Sequence, residues 1–497
     1  MAGAQSLTFA EIGMIKTMFT ISPALSNQAI LSYFTRPGRD LNHRVIAEIK
    51  GGVRFGHVAA ASLAATLTYM QACEATHLPT ASTFLGPSAI DEDGTLADLF
   101  GALRLHWWPV GQGLFQSGRL ELHDRLGFVW VYDCGSSSST AVRDRAIRRF
   151  RAESDARRID LVAISHFDED HINGIEALLR GTHVRTLLLP YLPLWQRLLA
   201  AVRQGITAGN PRLEFYLDPV TYLAGIEGSE IGEILLVQPT GPDDLVDPGA
   251  GEPGPERGPG EAKIDYGDRP DDADDNLVPR SANGVSIAYL RRAGRILIPG
   301  LWEFVPYNDA ELRPRVDQLF LTQVTWIVRR LLRRRPHRGL ALALLKRLYD
   351  RQFGDDPHPR NLASLFLYSG PVGVRIGMRQ HIATHAVRWN AARDNFAQLA
   401  TGDGYLDSPA RLAALRHFFG STRIKRAGIV QVMHHGASAN WHEGVAAALA
   451  PAVSIFSSDP AHKGYRHPHP EVLRDFWPWC PVQVDRERGF ELVVWLT

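Results

Sequence analysis

Two histidines and two aspartates fall within six residues in the stretch Ile164-Ser165-His166-Phe167-Asp168-Glu169-Asp170-His171-Ile172-Asn173-Gly174. Before it, Ile159 to Ile164 reads as a short buried strand. After it, Ile172, Ile175, Leu178 and Leu179 recur at helical spacing. The cluster therefore lies on a turn that leaves a strand and enters a helix, beside the open backbone donors of a helix N-terminus. Carboxylates this close repel one another unless a cation compensates them, and carboxylate with imidazole is a ligand set for a divalent ion. An exposed acidic turn with two incidental histidines is the alternative reading of the same residues.

Composition narrows the rest. A chain of 497 residues is long enough for about three domains. Its net charge of +1 gives no global field for nucleic acid or membrane, so any such affinity must come from local patches. Cys73, Cys134 and Cys480 are far apart, have no metal or redox spacing, and suit a reducing cytoplasm. No run approaches eighteen apolar residues and the N-terminus has no basic-then-apolar leader pattern, so neither a membrane span nor a signal peptide is expected.

Residues 1–60 read as three short helices. Ile12, Ile15, Met18 and Phe19 form the first apolar stripe, Ser26 can cap the second helix, and Asn42 can cap a basic third. With Arg36 and Arg39 flanking a tight turn and Arg44 and Lys50 on the third helix, the segment is similar to a helix-turn-helix module and offers those four residues to nucleic acid. A helical bundle that docks on a protein partner is the other reading. Residues 61–102 read as a helix and linker. Strands begin at Leu103, and strands then alternate with helices, which argues α/β layering. Residues 240–282 are rich in Pro, Gly and Asp and are expected to be a disordered acidic loop. Residues 310–353 read as helices carrying Arg329, Arg330, Arg333, Arg334, Arg335 and Arg338. These face either phosphates or, in a solvated or acid-paired face, the chain's own carboxylates. Toward the C-terminal end, strands run directly into Thr401-Gly402-Asp403-Gly404, His434-His435-Gly436 and Tyr465-Arg466-His467-Pro468-His469-Pro470.

Taken together these motifs resemble the metallo-β-lactamase superfamily. His166-Phe167-Asp168-Glu169-Asp170-His171 is similar to its His-x-His-x-Asp-His signature, with Asp168 where the second histidine usually stands. That variant resembles the hydrolase domain of ComEC-type competence (DNA-uptake) proteins. Val110-Gly111-Gln112-Gly113, Asp133-Cys134-Gly135, Thr401-Gly402-Asp403, His434-His435-Gly436-Ala437-Ser438 and Tyr465 to Pro470 follow that family's motifs in order. The resemblance covers 103–497, interrupted by an insertion at about 210–360. Ile296-Leu297-Ile298-Pro299-Gly300-Leu301 also resembles the strand that leads to the family's bridging aspartate, but Leu301 cannot ligate, so Asp403 is preferred.

The resemblance implies an αβ/βα four-layer sandwich, here with a small all-α N-terminal domain and a partly disordered, partly helical insertion. It implies one or two divalent ions. His166 and Asp168 would serve the first, Asp170, His171 and His435 the second, and Asp403 both. His434 would lie behind the ligands and orient one of them. Asp170 and His467 are the candidate catalytic residues, His467 as proton donor or phosphate ligand, against a structural role before Pro468. The additional histidine that the family places between the first cluster and the bridging aspartate is not evident. Asp168 hardens the first position and shifts preference from Zn²⁺ toward Mn²⁺ or Mg²⁺. The expected activity is metal-dependent phosphodiester hydrolysis by a nuclease acting on DNA, in the cytoplasm, and the domain combination suits a bacterial phage-defence system. Hydrolysis of a peptide, lactone or cyclic nucleotide is the second expectation. A non-catalytic DNA-binding or signalling adaptor is the third.

Overall fold

The computed structural model describes residues 7, 9–21, 25–35, 41, 43–63, 65–67, 69–70, 101–122, 125–154, 157–247, 262–270, 281–354, 364–372, 378–383, 395–462, 464 and 467–496. Among them are two large sheets, one of eleven strands and one of eight. The first contains Gly101–Trp107, Phe115–Leu122, Arg125–Cys134, Arg158–Ala163, His183–Pro190, Glu230–Val237 and Val285–Leu290 as consecutive neighbours. From Arg125–Cys134 to Val285–Leu290 the pairing is parallel. In the second sheet Gln398–Ala400, Ile429–Gln431, Val453–Ser457 and Pro481–Val484 are likewise parallel, and Phe366–Pro371 joins them antiparallel. Loops that follow the carboxyl ends of parallel strands are where side chains from several strands converge.

Alternation along each strand decides which faces meet. Val129 and Val131 share an apolar cluster with the helical residues Ile147, Phe150, Leu178 and Leu198. Their neighbours Trp130 and Tyr132 turn the other way and share a cluster with Trp302, Phe304, Leu367 and Ile455 of the second sheet. On the second sheet Val305, Phe366, Val430 and Phe456 point away from that interface and meet Leu412, Phe418 and Leu473 of its helices. Mixed α/β structure of this kind is compatible with an αβ/βα sandwich. At the centre, the ring of Trp130 lies 6.3 Å from that of Trp302 and 5.1 Å from that of Phe304.

The three N-terminal helices form as Phe9–Met18, Asn27–Phe34 and His43–Lys50. Ser26 caps the second by accepting from the Ala29 amide (3.0 Å), while Asn42 lies outside the described residues. Ile12, Ile15, Phe34 and Ile46 belong to the same cluster as Phe418 and Leu473, and Tyr33 meets Trp477 edge-on at 6.1 Å. The third helix is less basic outward than its sequence implies. Arg44 and Arg54 both pair with Glu48 (2.8 and 3.2 Å), and the Lys50 ammonium sits 5.7 Å from the centre of the Phe19 ring. Arg36 and Arg39 lie outside the described residues.

Of the loop expected to be disordered, 248–261 and 271–280 lie outside the described residues, as does 71–100 of the expected linker region. Residues 262–270 depart from expectation. Lys263–Ile264 pairs with Ile296–Ile298 and Tyr266–Gly267 with Val285–Leu290, so one short segment adds a strand to each sheet. Composition hides this because the segment is held by backbone pairing at exposed strand edges rather than by apolar side chains. The arginine-rich region forms the helices Gln318–Ile327, Val328–Leu332 and Arg338–Phe353. Phe320, Val324, Leu345 and Tyr349 are buried against the first sheet's helical cluster, Arg329, Arg330 and Arg333 to Arg335 are exposed, and Arg338 pairs with Glu214 (2.7 Å). No helix among the described residues is long and apolar enough to cross a membrane.

Trp302 is fully buried between the sheets, and its indole N–H donates to Ser369 Oγ (2.8 Å). Trp302→Ala removes that packing and strands the hydroxyl. It is expected to cost about 3–5 kcal/mol of unfolding free energy, read as a lower urea midpoint. An unchanged midpoint would contradict the face-to-face packing of the two sheets.

Candidate metal centre

Two glycines allow the loops of the two sheets to close on one point. A Cβ on Gly135 would stand 2.4 Å from the Asp170 carbonyl carbon and 2.5 Å from the His171 nitrogen. The turn after Asp133 therefore packs directly on the backbone of the His166 to His171 cluster, where the Leu114 amide donates to the Asp170 carbonyl (3.1 Å). Gly402 has φ +51°, and a Cβ there would stand 2.5 Å from Ser364 Oγ and 2.9 Å from Ser165 Cβ. Only glycine takes this conformation at no steric cost, and it delivers Asp403 to the cluster.

The Asp403 carboxylate is the hub. His171 Nε2 lies 3.1 Å from its Oδ1 and His435 Nε2 3.7 Å from the same oxygen. His434 Nε2 lies 3.3 Å and His166 Nε2 3.5 Å from its Oδ2. Asp170 Oδ2 approaches His435 Nε2 at 3.3 Å, and Asp168 Oδ2 approaches His166 Nε2 at 3.9 Å. Ligand atoms of His166, His171 and Asp403 all lie within 4.8 Å of one another, as do those of Asp170, His171 and His435.

Each imidazole is oriented from behind. His171 Nδ1–H donates to Asp133 Oδ2 (2.7 Å), and His166 Nδ1–H donates to Ser165 Oγ (2.8 Å), whose own hydroxyl donates to Asp133 (2.6 Å). His435 Nδ1–H donates to the Ser457 carbonyl (2.5 Å) and His434 Nδ1–H to Asn440 Oδ1 (2.7 Å). Asn440 spends its amide on the Asp403 and Gly404 carbonyls, which fixes its orientation. In all four rings the hydrogen-bond network thus puts one proton on Nδ1 and turns Nε2 inward. The Nε2 atoms of His166, His171 and His435 are buried and make no hydrogen bond among the described residues. Inward lone pairs facing carboxylate oxygens repel unless a cation or protons lie between them. The set of imidazole nitrogens and carboxylates therefore fits a divalent ion.

Electrostatics point the same way. Burial opposes ionisation of Asp403, but His434, His171, His166 and His435 outweigh it and hold the carboxyl well below the usual range. Asp170, likewise buried, is held at about 2 by the adjacent His435 imidazole, 3.3 Å away, and by the charge of His171. Burial lifts Asp168 to about 6, with His166 opposing and Asp170 adding. Burial would lower His171 and His435, but Asp403 with Asp133 raises the first and Asp403 with Asp170 raises the second. Burial wins at His434, which is lowered. His467 is pressed down to about 2 by burial and then by His435 and His434. In the absence of a cation, protons on His171 and His435 take its place beside the two carboxylates.

The structure brings His166, Asp168, Asp170, His171, Asp403 and His435 together. It places His434 differently from expectation: instead of standing behind a ligand it turns Nε2 onto Asp403 Oδ2, beside His166. The inversion follows from the backbone, since His434 and His435 both have positive φ (44° and 58°) and so direct neighbouring rings into the same centre. His434 and His166 thus share one oxygen of Asp403. Leu301 is buried in the apolar layer between the sheets. The His467 ring stands 5.4 Å from that of His434 and 6.1 Å from that of His435, with Gln112 Nε2 3.4 Å from its Nδ1. Tyr465 and Arg466 lie outside the described residues. Sequence reasoning noted Asp133 as a strand end but missed its grip on His171 and Ser165. It also missed Gln204, whose amide donates to Asp168 Oδ1 (2.6 Å) and which Tyr216 holds in turn (2.7 Å). Only folding brings the segment around 204–216 to the cluster, so no local pattern announces it.

No protein-family model matches the sequence. Among curated proteins the chain is similar to ribonuclease Z of Anoxybacillus flavithermus, 26% identical over 128 residues, which is 24% of this chain and 39% of that protein. The chain thus spans about two-fifths of the length of the curated relative it matches.

Two outcomes follow for metal binding. Asp133→Asn puts an N–H in front of the His171 N–H and disturbs the tautomer; it is expected to weaken Mn²⁺ or Zn²⁺ by about 10–100-fold in chelator competition. An unchanged affinity would mean that Asp133 does not orient the site. Because a cation must displace the raised protons of His171 and His435, its affinity is expected to rise with pH. A flat pH profile would contradict that exchange.

Proposed function

We propose that the chain is a metal-dependent hydrolase of phosphodiester bonds in nucleic acid, built on the metallo-β-lactamase αβ/βα sandwich. The observation that carries this reading is the convergence of four Nε2 atoms on the Asp403 carboxylate, each ring locked from behind. The ribonuclease Z match adds support, since ribonuclease Z belongs to that superfamily and its name describes cleavage of RNA. The fold alone hosts many chemistries, so the substrate is read from the site and not from the architecture.

These residues would hold one or two divalent cations, which would supply Lewis acidity toward a phosphoryl oxygen and toward water. His166, Asp168 and His434 would hold the first position and Asp170, His171 and His435 the second, with Asp403 between them. His434 thereby takes the place of the histidine absent from the sequence pattern. Asp133, Ser165, Asn440 and the Ser457 carbonyl keep the rings oriented. Gln204, itself held by Tyr216, holds Asp168, whose remaining oxygen faces His166. Gln112 presents an amide N–H to His467 Nδ1, so His467 carries its proton on Nε2 and can donate a hydrogen bond to a phosphoryl oxygen or leaving group. The strand-to-loop junctions that carry these groups are fixed by the packed sheets, which keeps the ligand geometry in place before substrate arrives.

DNA as the substrate and a role in phage defence rest on the ComEC-type variant of the first motif and on the joined N-terminal helices, and a cytoplasmic setting rests on the three widely spaced cysteines. Those helices are assigned to contact nucleic acid through Arg36, Arg39, Arg44 and Lys50. Of these, Arg44 and Lys50 already have partners within the chain, so charge reversal at Arg39 together with Arg44 separates that role from protein docking.

With Mn²⁺ supplied, the full chain is expected to cleave at least one member of a panel of single- and double-stranded DNA and RNA. Asp170→Ala is expected to fall to background. His467→Ala is expected to be slower by about 10²-fold or more with metal content retained. An intact panel, with wild type and Asp170→Ala alike, overturns the reading. Turnover of a lactone, dipeptide or cyclic nucleotide instead would move the same centre to that substrate, and a chain with no bound metal would leave an adaptor.

A further inference from the structure

The sheet edge that carries the metal cluster also carries a second concavity. In the first sheet, His183–Pro190, Glu230–Val237 and Val285–Leu290 run parallel to the strand that leads to His166. Their carboxyl ends continue into Tyr191, Gln238 and Arg291, and these residues line a cavity of about 760 Å³. That volume is in the range of sites for small ligands, roughly 300–1,000 Å³. The cavity opens one strand over from the cluster, and neighbouring strands stand about 4.8 Å apart.

Its lining is cationic rather than apolar. Arg269, Arg291, Arg292 and Arg313 face it, against Asp268 as the one carboxylate among the lining residues. Asp265 stands 3.5 Å from Arg291, and among the described residues of the lining the four arginines outnumber the carboxylates. Two features give the rim a defined shape. Arg313 donates to the Tyr191 carbonyl (2.9 Å) with its guanidinium 5.8 Å from the centre of the Tyr191 ring, and Gln238 Nε2 donates to the Asp268 carbonyl (2.8 Å). Arg269 and Asp268 come from the same short segment that adds a strand to each sheet, which explains why the arginine and the strand ends meet although the sequence separates them widely. Planar guanidinium groups converging on one space match tetrahedral oxyanions through paired, charge-assisted hydrogen bonds. Nothing in the metal cluster uses these arginines.

We propose that this cavity is a second phosphate-binding site, which takes either a phosphate of the nucleic-acid strand being cleaved or the phosphates of a free nucleotide. The first source rests on the hydrolase reading above and extends it: a phosphate seated here lies along the same sheet edge as the metal cluster. In the second, the cavity is a nucleotide site beside the centre.

Calorimetric titration of the full chain with inorganic pyrophosphate tests the site. Wild type and Asp170→Ala are expected to bind alike, while Arg269→Ser/Arg292→Ser weakens binding by about tenfold or more, the loss of two charge-assisted contacts. Arg269→Lys/Arg292→Lys retains charge and is expected to fall between them, and thermal melting without ligand checks that each variant folds. Equal affinity in wild type and the serine variant overturns the site, as does loss of binding in Asp170→Ala alone, which would assign the anion to the metal cluster. The source is then read with oligonucleotides of phosphorothioate backbone. Tighter binding of the 5′-phosphorylated form, abolished in the serine variant, supports a strand phosphate. Competition by a nucleoside diphosphate, with no effect of the end phosphate, supports a free nucleotide. Failure of the nucleic-acid digest leaves this titration untouched, and a failed titration leaves the digest untouched, so the two proposals stand or fall separately.

Discussion

One buried carboxylate organises the centre of this protein. Asp403 stands among four imidazole nitrogens, two on each of its oxygens, in surroundings nearly closed to solvent. Burial alone would protonate such a group. It stays ionised because positive charge is arranged around it, and that requirement propagates outward. Each ring must present Nε2, so each must have its Nδ1–H engaged, which assigns work to Asp133, Ser165, Asn440 and the Ser457 carbonyl. Those groups must in turn be fixed: Asp133, Ser165 and Ser457 stand at or just past the ends of parallel strands whose faces are locked in two apolar layers, and Asn440 is held by the Asp403 and Gly404 carbonyls. The fold thus supplies stiffness where the chemistry needs it.

Much of the site was legible in the sequence because its motifs are local. The cluster from His166 to His171 lies on one turn, and Thr401-Gly402-Asp403 and His434-His435-Gly436 each end a strand. The choice of Asp403 over Leu301 followed from its carboxylate and from the His434-His435 pair that follows it after one helix, and Leu301 lies in the core. What stayed hidden depended on backbone conformation or on distant contacts. His434 turns inward only because two successive residues take positive φ, a feature that residue spacing does not reveal. Gln204 reaches Asp168 and is held by Tyr216, both from a part of the chain 36 or more residues beyond Asp168. Residues 262–270 looked unable to order themselves because composition counts apolar side chains, whereas strand edges are held by backbone hydrogen bonds. The basic face of the third helix looked stronger than it is because Glu48 sits within reach of both Arg44 and Arg54.

The same logic relates the metal cluster to its surroundings. Parallel strands leave their carboxyl ends on one side of a sheet, so residues far apart in sequence share an edge. Here that edge carries an acidic, imidazole-rich centre and, beginning one strand over, an arginine-lined cavity.

Equilibrium dialysis of the full chain against Mn²⁺ or Zn²⁺, with the bound ion counted by mass spectrometry, tests the role of Asp403 most directly. About one to two ions per wild-type chain are expected, as for centres in which a carboxylate lies between two positions, and a loss of bound ion is expected in a folded Asp403→Asn variant. A wild-type chain that retains no ion, or an Asp403→Asn variant that retains as many as wild type, would contradict a cation-binding centre built on this carboxylate.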